Sequence, residues 1–332
     1  MHHPNSNKFN VKVSTRSNKK TRGAALLTAL FIVTVVAGIA VLMAIRQQIN
    51  IHVLELMMNN DRVYFYAQGV EDWAIGQLLE SATRTPGNNV VPDVFPPLKP
   101  IKFAGAVVSG VIQDQQALFN INSLADANNM APFVRLLMTV DANLATQQAQ
   151  ATAIALAVNL WLTPSGVDEI YAKFLPPYRA AHHAMASISE LRLIVGVTDK
   201  LYLELSPYIA ALPTTKNEIN VSTAPAPILM TIASMTADQA QSFLQCRQNT
   251  HGFVSTDTFN TCLSGVKATL NSNQQITVQS SYFLSVGQVN MGKQQLILTS
   301  LLYRFIQPQN KQVSVMVLWQ SRDYNVIMAS TD

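Results

Sequence analysis

Few side chains in this sequence are placed to do chemistry. His182 and His183 are adjacent, so on a helix their rings diverge and make a poor metal pair; they read as surface histidines. Asp168 and Glu169 follow Gly166 directly, where two acids suit the positive end of a helix. Cys246 and Cys262 are the only cysteines, which is what a single disulfide requires in an oxidising compartment and what two buried thiols would be elsewhere. The sequence holds no Gly-rich phosphate loop, no His-x-x-x-His or Cys-x-x-Cys spacing and no nucleophile motif. These absences argue against an enzyme, a required cofactor or a small-molecule substrate.

The compartment is set by the elements around these residues. From Ala24 to Ile45 there is no ionisable side chain, and roughly 22 residues rising 1.5 Å each match a hydrocarbon core of ~30 Å. Six basic residues, Lys8, Lys12, Arg16, Lys19, Lys20 and Arg22, precede this transmembrane helix, and only Arg46 follows closely. The positive-inside rule then places the N-terminus in the cytoplasm of a single-pass inner-membrane protein and the body in the periplasm. There Cys246 and Cys262 can pair, closing a loop of ~15 residues worth on the order of 3 kcal/mol. The formal charge of +4 belongs to the leader: residues 1–23 hold those six cations and no acid, leaving 17 basic against 19 acidic residues beyond them. Such a body has no general field for nucleic acid.

Past the span the chain runs without proline to Pro86-Gly87-Asn88, with Ile49, Val53, Leu56, Val63, Ala67, Val70, Ala74 and Leu78 at helical spacing. This predicts one long helix whose outer half buries a stripe against a domain. Residues 101–124 predict two short strands with a polar turn near Asp114-Gln115-Gln116. Three more strands are expected after Gln279, with hairpin turns at Met291-Gly292-Lys293 and Pro308-Gln309-Asn310. Between the strand groups, residues 124–275 read as almost entirely helical. The fold class is therefore α+β, a long N-terminal helix on an antiparallel sheet interrupted by a large helical insertion. The divisions are a leader 1–23, a transmembrane helix 24–45, a first body segment 46–123, the insertion 124–275 and returning strands 276–332.

The run Lys19-Lys20-Thr21-Arg22-Gly23 abutting the apolar helix resembles a prepilin peptidase site, cut between Gly23 and Ala24. Most pilin-like subunits have Glu at the fifth mature position, where this chain has Thr28. Further motifs resemble the general secretion pathway protein K family, the K-type minor pseudopilins of type II secretion systems. They are Asp61-Arg62-Val63-Tyr64-Phe65-Tyr66-Ala67-Gln68-Gly69-Val70-Glu71, Gly110-Val111-Ile112-Gln113-Asp114, and Phe119-Asn120-Ile121-Asn122-Ser123-Leu124. Trp161-Leu162, Ser187-Ile188-Ser189-Glu190-Leu191-Arg192, Leu205-Ser206-Pro207-Tyr208 and Ile219-Asn220-Val221-Ser222-Thr223-Ala224 continue the family's order.

The resemblance implies a pilin-like fold and a place at the tip of the pseudopilus, since K-type members characteristically lack that Glu. It implies methylation of the Ala24 amine and partnership with I-type and J-type minor pseudopilins, the prepilin peptidase and the inner-membrane secretion platform. It also implies calcium near Asp168 and Glu169. The family's loop is richer in acids, whereas Thr163-Pro164-Ser165 stand here, and calcium takes six to eight oxygens. Asn120 and Asn122 share one face of a strand end, where their amides can satisfy backbone leaving a sheet. Ser187 or Ser189 is expected to cap a helix, with Glu190 in its first turn, ahead of a turn at Gly196. Two other readings remain beside this one: a type IV pilus tip minor pilin, and helix-hairpin-helix modules binding DNA during uptake, for which Arg192 and Lys200 are a thin basic supply.

Overall fold

The computed structural model describes residues 21–83, 93–164, 169–250, 252–272, 274–292, 294–307 and 312–322. The chain forms two compact units, residues 1–60 and 61–332. One helix, α1 (Thr21–Thr83), begins in the first and ends in the second. In the first unit the α1 side chains from Ala24 to Ile45 are all exposed, and among the described residues α1 is the one helix long and apolar enough to cross a membrane. Such exposure of Leu, Ile, Val and Phe is costly in water and natural in lipid.

In the second unit α1 lies on a five-stranded sheet of β1 (Leu98–Phe103), β2 (Ala106–Asp114) and three later strands. The buried stripe is Val63, Ala67, Val70, Ala74 and Leu78, the helical spacing read from the sequence. Ile49, Val53 and Leu56, read into the same stripe, are exposed instead. Periodicity marks a face of a helix; only a facing layer buries it, and that layer begins at Val63.

The chain turns from β1 to β2 at Ala104-Gly105, both at positive φ, rather than at Asp114-Gln115-Gln116 as the sequence predicts. The polar triplet does turn the chain, because Asp114 Oδ1 accepts from the amides of Gln116 and Ala117. It is an exit from the sheet and not a hairpin.

That exit leads into a second hydrophobic core, running from Phe119 to Leu263. Its elements are β3 (Phe119–Asn120), α2 (Met130–Val140), α3 (Gln148–Leu162), α4 (Asp199–Leu205), β4 (Ile209–Ala210), β5 (Glu218–Asn220), α5 (Ala226–Ala233), α6 (Ala237–Asn249) and α7 (Thr256–Gly265). β6 (Gln275–Thr277) closes it, with Ile276 and Val278 packed against the core. Two parallel bridges, β3 with β4 and β5 with β6, were not read from the sequence, since strands of two or three residues leave no periodic trace.

Cys246 on α6 and Cys262 on α7 are joined by a disulfide, with Cα atoms 5.9 Å apart. Phe243, Phe253 and Phe259 pack beside it with ring centroids 5.4–5.6 Å apart. Each helix has its own start signal: Thr236 and Gln239 form a capping box on α6, and Ser255 caps α7.

The chain then returns through β7 (Tyr282–Met291), β8 (Gln294–Ile306) and β9 (Val313–Arg322), giving the antiparallel order β1-β2-β7-β8-β9. Met291 pairs with Gln294 across the β7–β8 turn, whose Gly292 has positive φ. Lys293, Pro308-Gln309-Asn310 and Pro86-Gly87-Asn88 lie outside the described residues. The architecture is α+β: a long N-terminal helix, an antiparallel sheet, and a helical domain inserted between β2 and β7.

Candidate functional site

At the anchor, Gly23 and Ala24 lie within the first turn of α1. Thr28 is exposed, and its Oγ1 donates to the Ala25 carbonyl at 3.0 Å. The hydroxyl is thus satisfied within its own helix and brings no charge to a segment where charge is costly.

The insertion joins the sheet through a buried polar neck. Asn120 Nδ2 donates to the carbonyls of Thr214 and Lys216 at 2.6 and 2.9 Å, and its Oδ1 accepts from Asn122 N and Leu212 N. Asn122 Nδ2 donates to Met185 O and Leu212 O, both at 2.9 Å, while its Oδ1 accepts from Met185 N at 2.7 Å. Two amides thereby satisfy backbone groups more than sixty residues away in sequence.

One layer deeper, Arg304 on β8 donates to both oxygens of Asp93 at 2.8 and 2.5 Å, to Ser81 Oγ on α1 and to the Ser280 carbonyl. Asp114 Oδ2 accepts from Asn220 Nδ2 at 2.8 Å and from Thr223 Oγ1. Burial pushes the Asp114 carboxyl up to about 6, partly offset by its hydrogen bonds and supported by the nearby Asp93 charge. This cluster ties α1, the sheet and the insertion together. None of Asp93, Arg304 or Asp114 stands out in the sequence as a site residue, because the side chains that mark them, Arg304 for Asp93 and Asn220 and Thr223 for Asp114, lie more than a hundred residues away.

Ser187 caps the short 3-10 helix Ile188–Leu193, accepting from Ser189 N, and Glu190 Oε1 reaches back to Ala186 N at 2.8 Å. Gly196 then turns the chain at φ +88°. The basic side chains of this unit are answered by acids: Arg192 pairs with Asp199 at 2.9 Å, and Lys200 with Glu204 at 3.4 Å.

His182 and His183 are not on a helix. His182 sits at positive φ, half-buried, with Nδ1 2.8 Å from the Thr163 carbonyl and its amide bonded to the Trp161 carbonyl. It closes the C-terminal end of α3 and is not a simple surface histidine. Glu169 is exposed, Asp168 lies outside the described residues, and among the described residues no three His, Cys, Asp or Glu side chains gather as metal ligands. Trp161 is buried and packs edge-on against Tyr171, with centroids 5.2 Å apart.

Residues 117–214 and 219–279, which are the insertion and its junctions, match two family models, both described as type II secretion system (T2SS), protein K. Over these residues the chain is similar to protein K of type II secretion systems. Protein K of Pectobacterium carotovorum subsp. carotovorum is 29% identical over 310 residues, covering 86% of this chain and 93% of that one. Protein K of Pseudomonas aeruginosa is 28% identical and covers 85% and 88%. In solved structures the fold resembles a chain of the GspK–GspI–GspJ complex from enterotoxigenic Escherichia coli, with a TM-score of 0.61 and 20% identity over 81% of this chain and 98% of that chain. These protein K relatives bear the name of a secretion-system component, which agrees with a structural role.

Proposed function

We propose that this chain is a non-enzymatic minor pseudopilin that caps the pseudopilus, assembling with I-type and J-type minor pseudopilins to initiate it and to support export of folded proteins across the outer membrane. The observation that carries the reading is the bulk of the insertion. It interrupts the sheet between β2 and β7 with a hydrophobic core of its own from Phe119 to Leu263. A subunit inside a filament is flanked above and below and must fit a repeating lattice. An insertion as large as this one fits where one flank is empty.

Thr28 agrees with that place. In the pilin-like pattern the Glu at this position answers the charged N-terminus of an earlier subunit within the membrane, and the first subunit has none to answer. The likeness to protein K of type II secretion systems favours the secretion reading over a type IV pilus tip. The neutralised Arg192 and Lys200 leave little for a DNA backbone.

In this reading the prepilin peptidase cuts between Gly23 and Ala24, the Ala24 amine is methylated, and the span holds the chain in the inner membrane with its body in the periplasm. Asp168 and Glu169 are carried as the candidate calcium pair. One preparation from secreting cells tests the assignment. The purified chain should begin at Ala24 with one added methyl mass and bring the I-type and J-type subunits with it; an intact leader and a chain purified alone would overturn it.

A further inference from the structure

Along β7 and β8 side chains alternate between the two faces of the sheet. Phe283 and Leu302 join Ala74 and Leu78 of α1, whereas Leu284, Val286 and Leu301 form a separate cluster with Val111, Ile297 and Trp319 on the other face. That second face is one wall of an open groove of about 1240 Å³, whose opposite wall is the insertion. Phe95, Pro97, Tyr208, Pro225, Leu244 and Trp319 are among the residues that line it, and give it rings and prolines as apolar surface. The volume exceeds the ~300–1,000 Å³ typical of small-molecule pockets.

Three charged side chains reach this lining, and two are answered. Asp93 is held by Arg304, and Asp114 by Asn220, Thr223 and two backbone amides. The third, Arg247, comes from α6 on the same face as Gln241, Leu244 and Gln248. Its Nη1 donates to the carbonyls of Val221 and Ala224 at 3.2 and 2.7 Å. Among the described residues no carboxylate lies within ion-pair distance of it, and its Nε and Nη2 have no acceptor. A half-buried guanidinium with fixed orientation and free donors suits a carboxylate, which it can take through two parallel hydrogen bonds.

We propose that this groove docks an extended polypeptide segment of a second protein, whose carboxylate seats on Arg247 while its apolar side chains pack on the rings and prolines of the wall. Extended chains carry alternating side chains, and grooves lined by aromatic residues receive them. Leu284, Leu301 and Trp319 bring the groove onto the sheet face that α1 leaves uncovered, so this docking is independent of the tip assignment.

The test uses the full chain in detergent micelles and a displayed library of random twelve-residue peptides. Selected peptides should be enriched in an acidic residue, and replacing that residue by its amide should weaken binding at least tenfold. Arg247→Gln should abolish the discrimination between the acidic peptide and its amide. Because Arg247 also holds two backbone carbonyls, Gln248→Glu provides a second variant. It leaves those bonds in place, adds a like charge to the wall, and should weaken the acidic peptide at least fivefold while sparing the amide. Peptides without an acid, peptides that bind both variants as they bind the parent, or a library yielding nothing above empty micelles would overturn the proposal. Selected peptides matching segments of this chain would replace the foreign partner with a second copy and overturn it too.

Discussion

Asn122 shows how a single side chain can hold a domain junction. Its amide makes three hydrogen bonds to buried backbone of Met185 and Leu212, so Asn122→Ala would strand one N–H and two carbonyls in a dry interior. We expect a loss of about 3 kcal/mol, read as a lowered denaturant midpoint in solubilised protein, with Asn122→Asp recovering only the bond from Met185 N. Asp114 adds a pH dependence. Its folded pKa of about 6 lies above the ordinary 3.8, so its contribution to stability is fully present below about pH 4 and is lost as pH rises through 6. The full swing is about 3 kcal/mol. Asp114→Asn should therefore gain on the parent protein by up to that amount between pH 4 and pH 8 in urea titrations, and a constant difference across that range would contradict the burial argument. The hydrogen-bonding role of Asn120 and Asn122 was legible from two amides at a strand end. Their partners were not, because nothing local points from residue 122 to residues 185 and 212.

Among the elements, α1 and the sheet meet most closely where β2 and β7 present Gly110 and Gly287, which are register partners. A Cβ at Gly110 would stand 2.3 Å from Val70 Cγ1, and one at Gly287 would stand 3.0 Å from Val70 Cβ. Both glycines act here through absent volume, not backbone freedom. Gly110→Ala should destabilise the body by about 1–3 kcal/mol, and Val70→Ala in the same chain should return much of that loss. Thermal melts of the single and double variants check it; equal melting points for the two would contradict the close approach. The helix stripe from Val63 to Leu78 and the strands after Gln279 were legible because each follows one strong period. The β1–β2 turn was not, since Ala104-Gly105 is a weak turn signal beside the polar Asp114-Gln115-Gln116. The short bridges β3–β4 and β5–β6 depend on tertiary pairing alone. Glu71 shows the same limit: it is a helical acid that is buried and accepts from Ser300 and Gln320, on strands more than two hundred residues away.

For the whole molecule, the span and the helical insertion between strand groups were both legible in the sequence, and they suffice to suggest a membrane-anchored pilin-like subunit. How the insertion is fixed to the sheet became visible only in the folded chain, where Asp93, Arg304, Asp114 and the paired asparagines converge from distant segments. A neck so thoroughly hydrogen-bonded holds the insertion in place on the sheet, and a bulky, firmly held insertion is what a repeating lattice would exclude. The insertion should therefore sit at a filament end, and immunogold labelling of elongated pseudopili with an antibody to it reads that position. A capping subunit gives gold at one end of each filament and none along its length. Gold spaced regularly along the shaft would contradict it.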